Sequence, residues 1–201
     1  TIGRLLSPSL YGDVSIGFAI LNFGIIVSLL GLNQGVSRYL PRFESDENKR
    51  GVVISAISIA GVSAVVVSAI GLQFSPDITA LLFDGPEAVR LTNLFLLAIP
   101  IAVLFRIGIS VVRGLEITIF KTYTNDILLP VLRLILIVLL ILLGLESESV
   151  AFAYLLSFIP AAALIYYLIN TKLSLFGRYH THRRELLSFS APLVISTVIS
   201  V

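Results

Sequence analysis

Five apolar segments constrain this chain more than anything else in it: Val14–Leu32, Val52–Phe74, Leu91–Val112, Ile127–Leu145 and Val150–Ile169. Each has about 20 residues, and at 1.5 Å per residue that length crosses the roughly 30 Å of bilayer hydrocarbon. Lipid offers the backbone no hydrogen-bond partners, so each segment is expected to be a helix. The strands of membrane β-barrels are shorter and alternate in polarity, which these segments do not. Charged residues make up 13% of the chain and the mean hydropathy is +1.01. A soluble domain carries about 25% charged residues, so lipid is the solvent for much of this surface. The expected fold class is all-α, a polytopic transmembrane helix bundle. Apolar stretches at Thr1–Leu6 and Leu187–Val201 read as parts of two further spans. With Thr at position 1 and no Met, the chain is expected to be a piece of a longer membrane protein.

The connectors set an orientation. "RYLPRFESDENKRG", "RGLEITIFKTYTND" and "NTKLSLFGRYHTHRRE" carry most of the basic residues. The alternate connectors "SPSLYGD", "SPDITALLFDGPEAVR" and "ESES" hold only Arg90. Lys and Arg near span ends stay in the cytoplasm, so the basic connectors are predicted to face that side. The organisation expected is a transmembrane lobe over 1–171, a basic cytoplasmic loop over 172–186 and the next span from 187. Pro100, Pro130, Pro160 and Pro192 fall within spans, where each removes a ladder hydrogen bond and bends its helix. Gly17, Gly24, Gly31, Gly61 and Gly71 permit close helix approach.

Two guanidinium groups interrupt the apolar runs, Arg106 in "IPIAVLFRIGISVVRG" and Arg133 in "LLPVLRLILIVLLILLG". Arg113, seven residues after Arg106, shares its helix face, as does Ser110. Each arginine sits about 10 Å inside the cytoplasmic end of its span. An Arg at mid-bilayer costs at least about 2.5–3.5 kcal/mol, so it faces water or a partner. Three readings stay open: snorkelling to the headgroups, pairing of Arg133 with Asp126, and a basic cavity that binds an anion. The planar guanidinium suits the last, because it grips phosphate in a bidentate manner.

Other chemistry is sparse. His180 and His182 form an H-x-H without further ligands, which reads as a solvated loop and not a metal site. No Walker loop, nucleophile elbow or zinc-protease motif occurs, so no catalytic residues and no cofactor are expected.

In order along the chain, Arg4, Leu6, Pro8, Tyr11 and Gly12, followed by Gly31, Leu32, Arg38 and Tyr39, resemble the opening pattern of polysaccharide-biosynthesis flippases. "VVRGLEITIFKTYTNDILLPVLRLILIVLLILLG" resembles the family's fourth connector and fifth helix, and "RRELLSFSAPLVIS" the start of its seventh. The resemblance implies the multidrug/oligosaccharidyl-lipid/polysaccharide exporter superfamily. Its members have two six-helix lobes around a central cavity and flip lipid-linked sugars by alternating access. This chain would be the first lobe, with its first helix truncated, plus the start of a seventh helix.

The implied partners are an oligosaccharide on a polyprenyl or dolichyl phosphate, membrane lipids and glycosyltransferases of the same pathway, with no nucleic acid. The implied location is the cell membrane. Basic residues in the family's cavity make Arg106, Arg133 and Arg38, with Ser110, the candidate substrate-binding residues. Two alternatives are a cation-coupled drug exporter, which would want acidic residues in its spans, and an integral-membrane glycan-assembly enzyme, which would want a large outer loop.

The orientation is directly testable. Cysteines placed at Asn48 and Thr181 should be protected from an impermeant thiol reagent in intact cells, whereas cysteines at Asp84 and Ser147 should react. Labelling at position 48 from outside would reverse the assignment.

Overall fold

The computed structural model describes residues 8–83, 88–145 and 148–190, and contains helices, turns and no strand among them. The expected partial span at Thr1–Leu6, together with Arg4, Asp84, Ser147 and Pro192, lies outside the described residues.

The chain folds into α1 (Pro8–Leu29), α2 (Leu32–Tyr39), α3 (Asp46–Gln73), α4 (Ser75–Leu82), α5 (Ala88–Gly114), α6 (Thr118–Lys121), a π-helical segment (Thr122–Leu128), α7 (Leu129–Leu142) and α8 (Ser149–Lys172). Residues 183–190 are also helical. Among the described residues, five stretches are long and apolar enough to cross a membrane: Gly12–Leu29, Asp46–Gln73, Ala88–Gly114, Thr118–Leu142 and Ser149–Lys172. They cover the five apolar segments of the sequence, with shifted boundaries.

Two of those shifts have clear causes. The first span stops at Leu29, because Leu30 and Gly31 adopt positive φ (48° and 73°) and turn the chain into α2. Gly31 carries that backbone without a Cβ clash. In the following connector, α2 and one 3-10 turn at Leu40–Arg42 leave few residues in open loop before α3 begins. Ser45 caps α3 by accepting from the Asn48 amide, and Asp46 and Glu47 favour its positive N-terminal end. The last helix starts at residue 183, four residues before the expected 187.

Helix α5 is the axis of the bundle, with α1, α2, α3 and α8 packed around it. Of its most apolar window 72% is buried, against 11% for the span containing α7, which packs chiefly on α8 and turns its leucines outward. Small residues allow the close contacts. Ala56, Ala60, Ala64 and Ser68, four apart along α3, are all buried. On α1, a Cβ at Gly17 or Gly24 would overlap Phe95 or Ile99 of α5.

Pro100 lies inside α5 and has no amide to give to the Leu96 carbonyl four residues earlier. The Ser68 hydroxyl donates to that carbonyl at 2.8 Å. Tyr166 of α8 similarly donates to the Leu104 carbonyl at 2.9 Å.

A double-mutant cycle tests the first of these bonds. Ser68→Ala should destabilise the purified membrane protein by about 1 kcal/mol, in the range for interhelical hydrogen bonds in membranes. In a Pro100→Ala background, residue 100 supplies the missing donor and the same change should cost markedly less. Denaturant titration in detergent reads both arms, and equal costs would sever the link between Ser68 and Pro100.

Candidate functional site

The arginines flagged in the sequence emerge from α5 and α7 by different routes. Between Phe105 and Gly114, only Arg106 and Arg113 are exposed, and every other side chain is buried. Two helical turns separate them, so they share one face. Leu97, nine residues before Arg106, is also exposed but lies about half a turn round the helix. The helix thus shows an apolar side chain to one flank in its first half and guanidinium groups to the opposite flank in its second half.

Ser110 does not offer a free hydroxyl beside Arg106. It is buried, and its hydroxyl donates to the Arg106 carbonyl at 2.9 Å. Its contribution is to the helix segment that carries the arginine, with the bond closing back one turn.

Arg133 points at α8. Its guanidinium carbon lies 3.9 Å from the Tyr154 ring centroid and 4.9 Å from that of Phe158. Its Nε donates to the Ser157 hydroxyl at 3.4 Å. Tyr154, Ser157 and Phe158 stand at i, i+3 and i+4, one face of a helix, and together form a platform for the cation. This platform was missed in the sequence, although the aromatic spacing was visible there.

The pairing of Arg133 with Asp126 is not formed. Asp126 instead lies 3.8 Å from the Lys121 ammonium and accepts from Asn125 at 2.6 Å. The π-helical segment accounts for this. The Leu129 amide bonds to the Thr124 carbonyl five residues back, so the even register of an α-helix is broken between Asp126 and Arg133. Nor are the two arginine helices direct packing partners of any extent, because each packs mainly on α8. Among the described residues, Arg106, Arg113, Arg133 and Arg38 form no ion pair. Arg38 is exposed in the last turn of α2.

A second polar cluster joins the basic loop and residues 183–190 to α2 and α3. The Tyr39 hydroxyl donates to Glu185 Oε2 at 2.6 Å, and His182 Nδ1 approaches the same oxygen at 3.1 Å. His182 Nε2 meets Asn48 Oδ1 at 3.1 Å, and its ring packs on Phe43. Arg50 donates to the carbonyls of Ser174 and Arg178. A Cβ at Gly51 would overlap the His180 carbonyl. The histidines of the H-x-H motif therefore serve to dock the loop, and no group of three or more metal-ligating side chains occurs among the described residues.

The Tyr39 hydroxyl within this cluster holds the Glu185 carboxyl below the usual carboxylate range, aided by His182. The Tyr39 hydroxyl is itself pushed up to about 12, first by burial and then by Glu185.

Residues 1–201 match the family model described as "Polysaccharide biosynthesis protein". No curated protein and no solved structure gives a significant match.

The docking cluster has a defined pH window. A depressed Glu185 contributes stability above the ordinary glutamate value of about 4.3 and loses it as pH falls through its folded value. A raised Tyr39 contributes below about pH 10 and loses it as pH rises further. The protection factors of the amides of residues 183–190 in the full-length protein, taken relative to the intrinsic exchange rate at each pH, should therefore be high near neutrality and fall in acid below about pH 4. Glu185→Gln should remove the acid step. An acid step unchanged in that variant would place its origin elsewhere.

Proposed function

Because the chain belongs to the polysaccharide biosynthesis protein family, we propose that it forms part of a flippase that moves a lipid-linked oligosaccharide across the cell membrane by alternating access. The observation that carries this reading is the pair of exposed guanidinium groups, Arg106 and Arg113, on an otherwise buried stretch of α5. Like Arg133, they are balanced by no ion pair with an acidic side chain among the described residues. Uncompensated like charges at this depth are unfavourable for an empty bundle. An anionic ligand would supply the missing countercharge.

A polyprenyl or dolichyl phosphate or pyrophosphate fits that role, with bidentate contacts to Arg106 and the α8 platform holding Arg133 at a fixed angle. Arg38 lies nearer the cytoplasmic surface and would meet the sugar or phosphate on approach. The sugar crosses in the polar path while the isoprenoid tail stays in lipid. The protein has no covalent chemistry to perform in this scheme and acts as a transporter.

The test is glycan export by the full-length protein in a strain lacking its own flippase. Arg106→Ala and Arg133→Ala should each lower export by tenfold or more at equal protein level, since a charge-assisted hydrogen bond is worth about 1.5–3 kcal/mol. Lysine at either position should retain part of the activity, by keeping the charge without the planar fork. Asp126→Asn should not rescue Arg133→Ala, because Asp126 pairs with Lys121. Normal export in both alanine variants would sink the proposal.

A further inference from the structure

The loop between α8 and the last helix is pinned in place, yet it holds its largest apolar side chain outward. Arg50 of α3 donates to the carbonyls of Ser174 and Arg178. The Leu175 amide donates to Asn170 Oδ1 at 2.9 Å, and the Ser174 hydroxyl to the Phe176 carbonyl at 3.1 Å. Leu173 is buried and Leu175 packs on the core. Phe176 lies between these anchors and is 85% exposed. A phenyl ring left in water, on a loop that is not free to fold back over it, is unfavourable.

Contacts with α3 fix the depth of this loop. Residues Asp46–Arg50 at the start of α3 are polar, and its apolar run begins at Val52. Arg50 holds Ser174 and Arg178, and a Cβ at Gly51 would overlap the His180 carbonyl. The His182 amide reaches the Ser55 hydroxyl, one turn further along α3, at 3.3 Å. The loop therefore runs at the border between the polar start of α3 and its span. Helix α8 gives the same level. Its 24 residues extend about 36 Å, slightly more than the hydrocarbon thickness, and the loop begins where they end.

The loop also continues the exposed apolar stripe of a membrane helix. Leu156, Ile159, Ala163 and Tyr167 of α8 are exposed at three- and four-residue spacing, on the side away from Tyr154, Ser157 and Phe158. Asn170 is next on that stripe, and its side chain receives the Leu175 amide. Phe176 thus stands where the uncharged stripe meets the border. From Lys172 to Arg184 the chain carries four Lys or Arg and no Asp or Glu, a charge that suits lipid phosphates.

We infer that residues 173–179 form an interfacial membrane anchor, with the Phe176 ring set at the boundary between headgroups and acyl chains of the adjacent leaflet. The depth of the loop and its continuity with an uncharged helix stripe select lipid over water, and aromatic side chains flanked by base are the residues that occupy this boundary. The basic connectors put that leaflet on the cytoplasmic side. The anchor is separate from the Arg106–Arg133 site and does not depend on the transport reading. Its consequence is that the bilayer, together with α3, holds the connection between α8 and the following helix.

The experiment uses the full-length protein in phosphatidylcholine vesicles. The chain described here has no Trp, so Phe176→Trp adds a conservative reporter whose emission is read as the difference from the parent protein. Phosphatidylcholine brominated in the upper part of its chains should quench the reporter at position 176 several-fold more than aqueous iodide does. Glu44→Trp, in the exposed polar stretch before α3, should show the opposite order.

Iodide quenching at position 176 as strong as at position 44 would place the loop in water and overturn the proposal. Resistance to both quenchers would show that protein covers the ring, from elsewhere in the chain or from a second copy, and would overturn it as well.

Discussion

A carbonyl group in hydrocarbon that loses its helical donor has no water to turn to, and Pro100 creates such a carbonyl at Leu96 in the helix on which the bundle is built. The Ser68 hydroxyl resolves it from the neighbouring helix. This bond sits at the end of the small-residue stripe Ala56, Ala60, Ala64 and Ser68, so the close approach and the hydrogen bond depend on each other. A larger residue in the stripe would move α3 away and strand the carbonyl. The bend at Pro100 is therefore held by a specific partner, and the same helix can carry arginines on one flank below it.

The hydroxyls of the bundle follow the same rule. Ser28, Ser110 and Thr124 each donate to a carbonyl one turn back on their own helix. None of these groups needs a ligand to be satisfied. The arginines are different, because an intrahelical carbonyl cannot neutralise a cation. Arg133 obtains partial compensation from Tyr154 and Phe158, worth about 0.5–2 kcal/mol for a cation over an aromatic face. Arg106 has no such platform. This contrast separates the hydroxyls, which complete the fold, from Arg106, whose charge no ion pair among the described residues balances.

The segment after α8 belongs structurally to the helices before it. Arg50, Gly51 and Asn48 of α3 and Tyr39 of α2 all engage it. A Cβ at Gly35 would overlap the Ser190 hydroxyl, so the contact continues to the last described residue.

Much of the architecture was legible in the sequence because a bilayer imposes a length and a composition on any helix that crosses it. The five apolar runs and the arginines within them needed no tertiary information. Boundaries were harder, since Ser45 capping and the positive φ of Leu30 and Gly31 extend or stop helices irrespective of hydropathy. The seven-residue spacing of Asp126 and Arg133 suggested a pair, but a π-helical turn between them changed the register. Ser110 was placed on the right helix, yet its hydroxyl bonds along the chain and not into a cavity.

The sequence by itself determined that this chain is a bundle of membrane helices with cations inside the spans, because hydrophobic length and charge are local properties. Only the tertiary structure decided that α5 is the axis, that Arg133 rests on Tyr154 and Phe158, and that His182 docks a loop. Those outcomes depend on which helix faces lie together, and one-dimensional periodicity does not encode the pairing of faces when nearly every face is apolar.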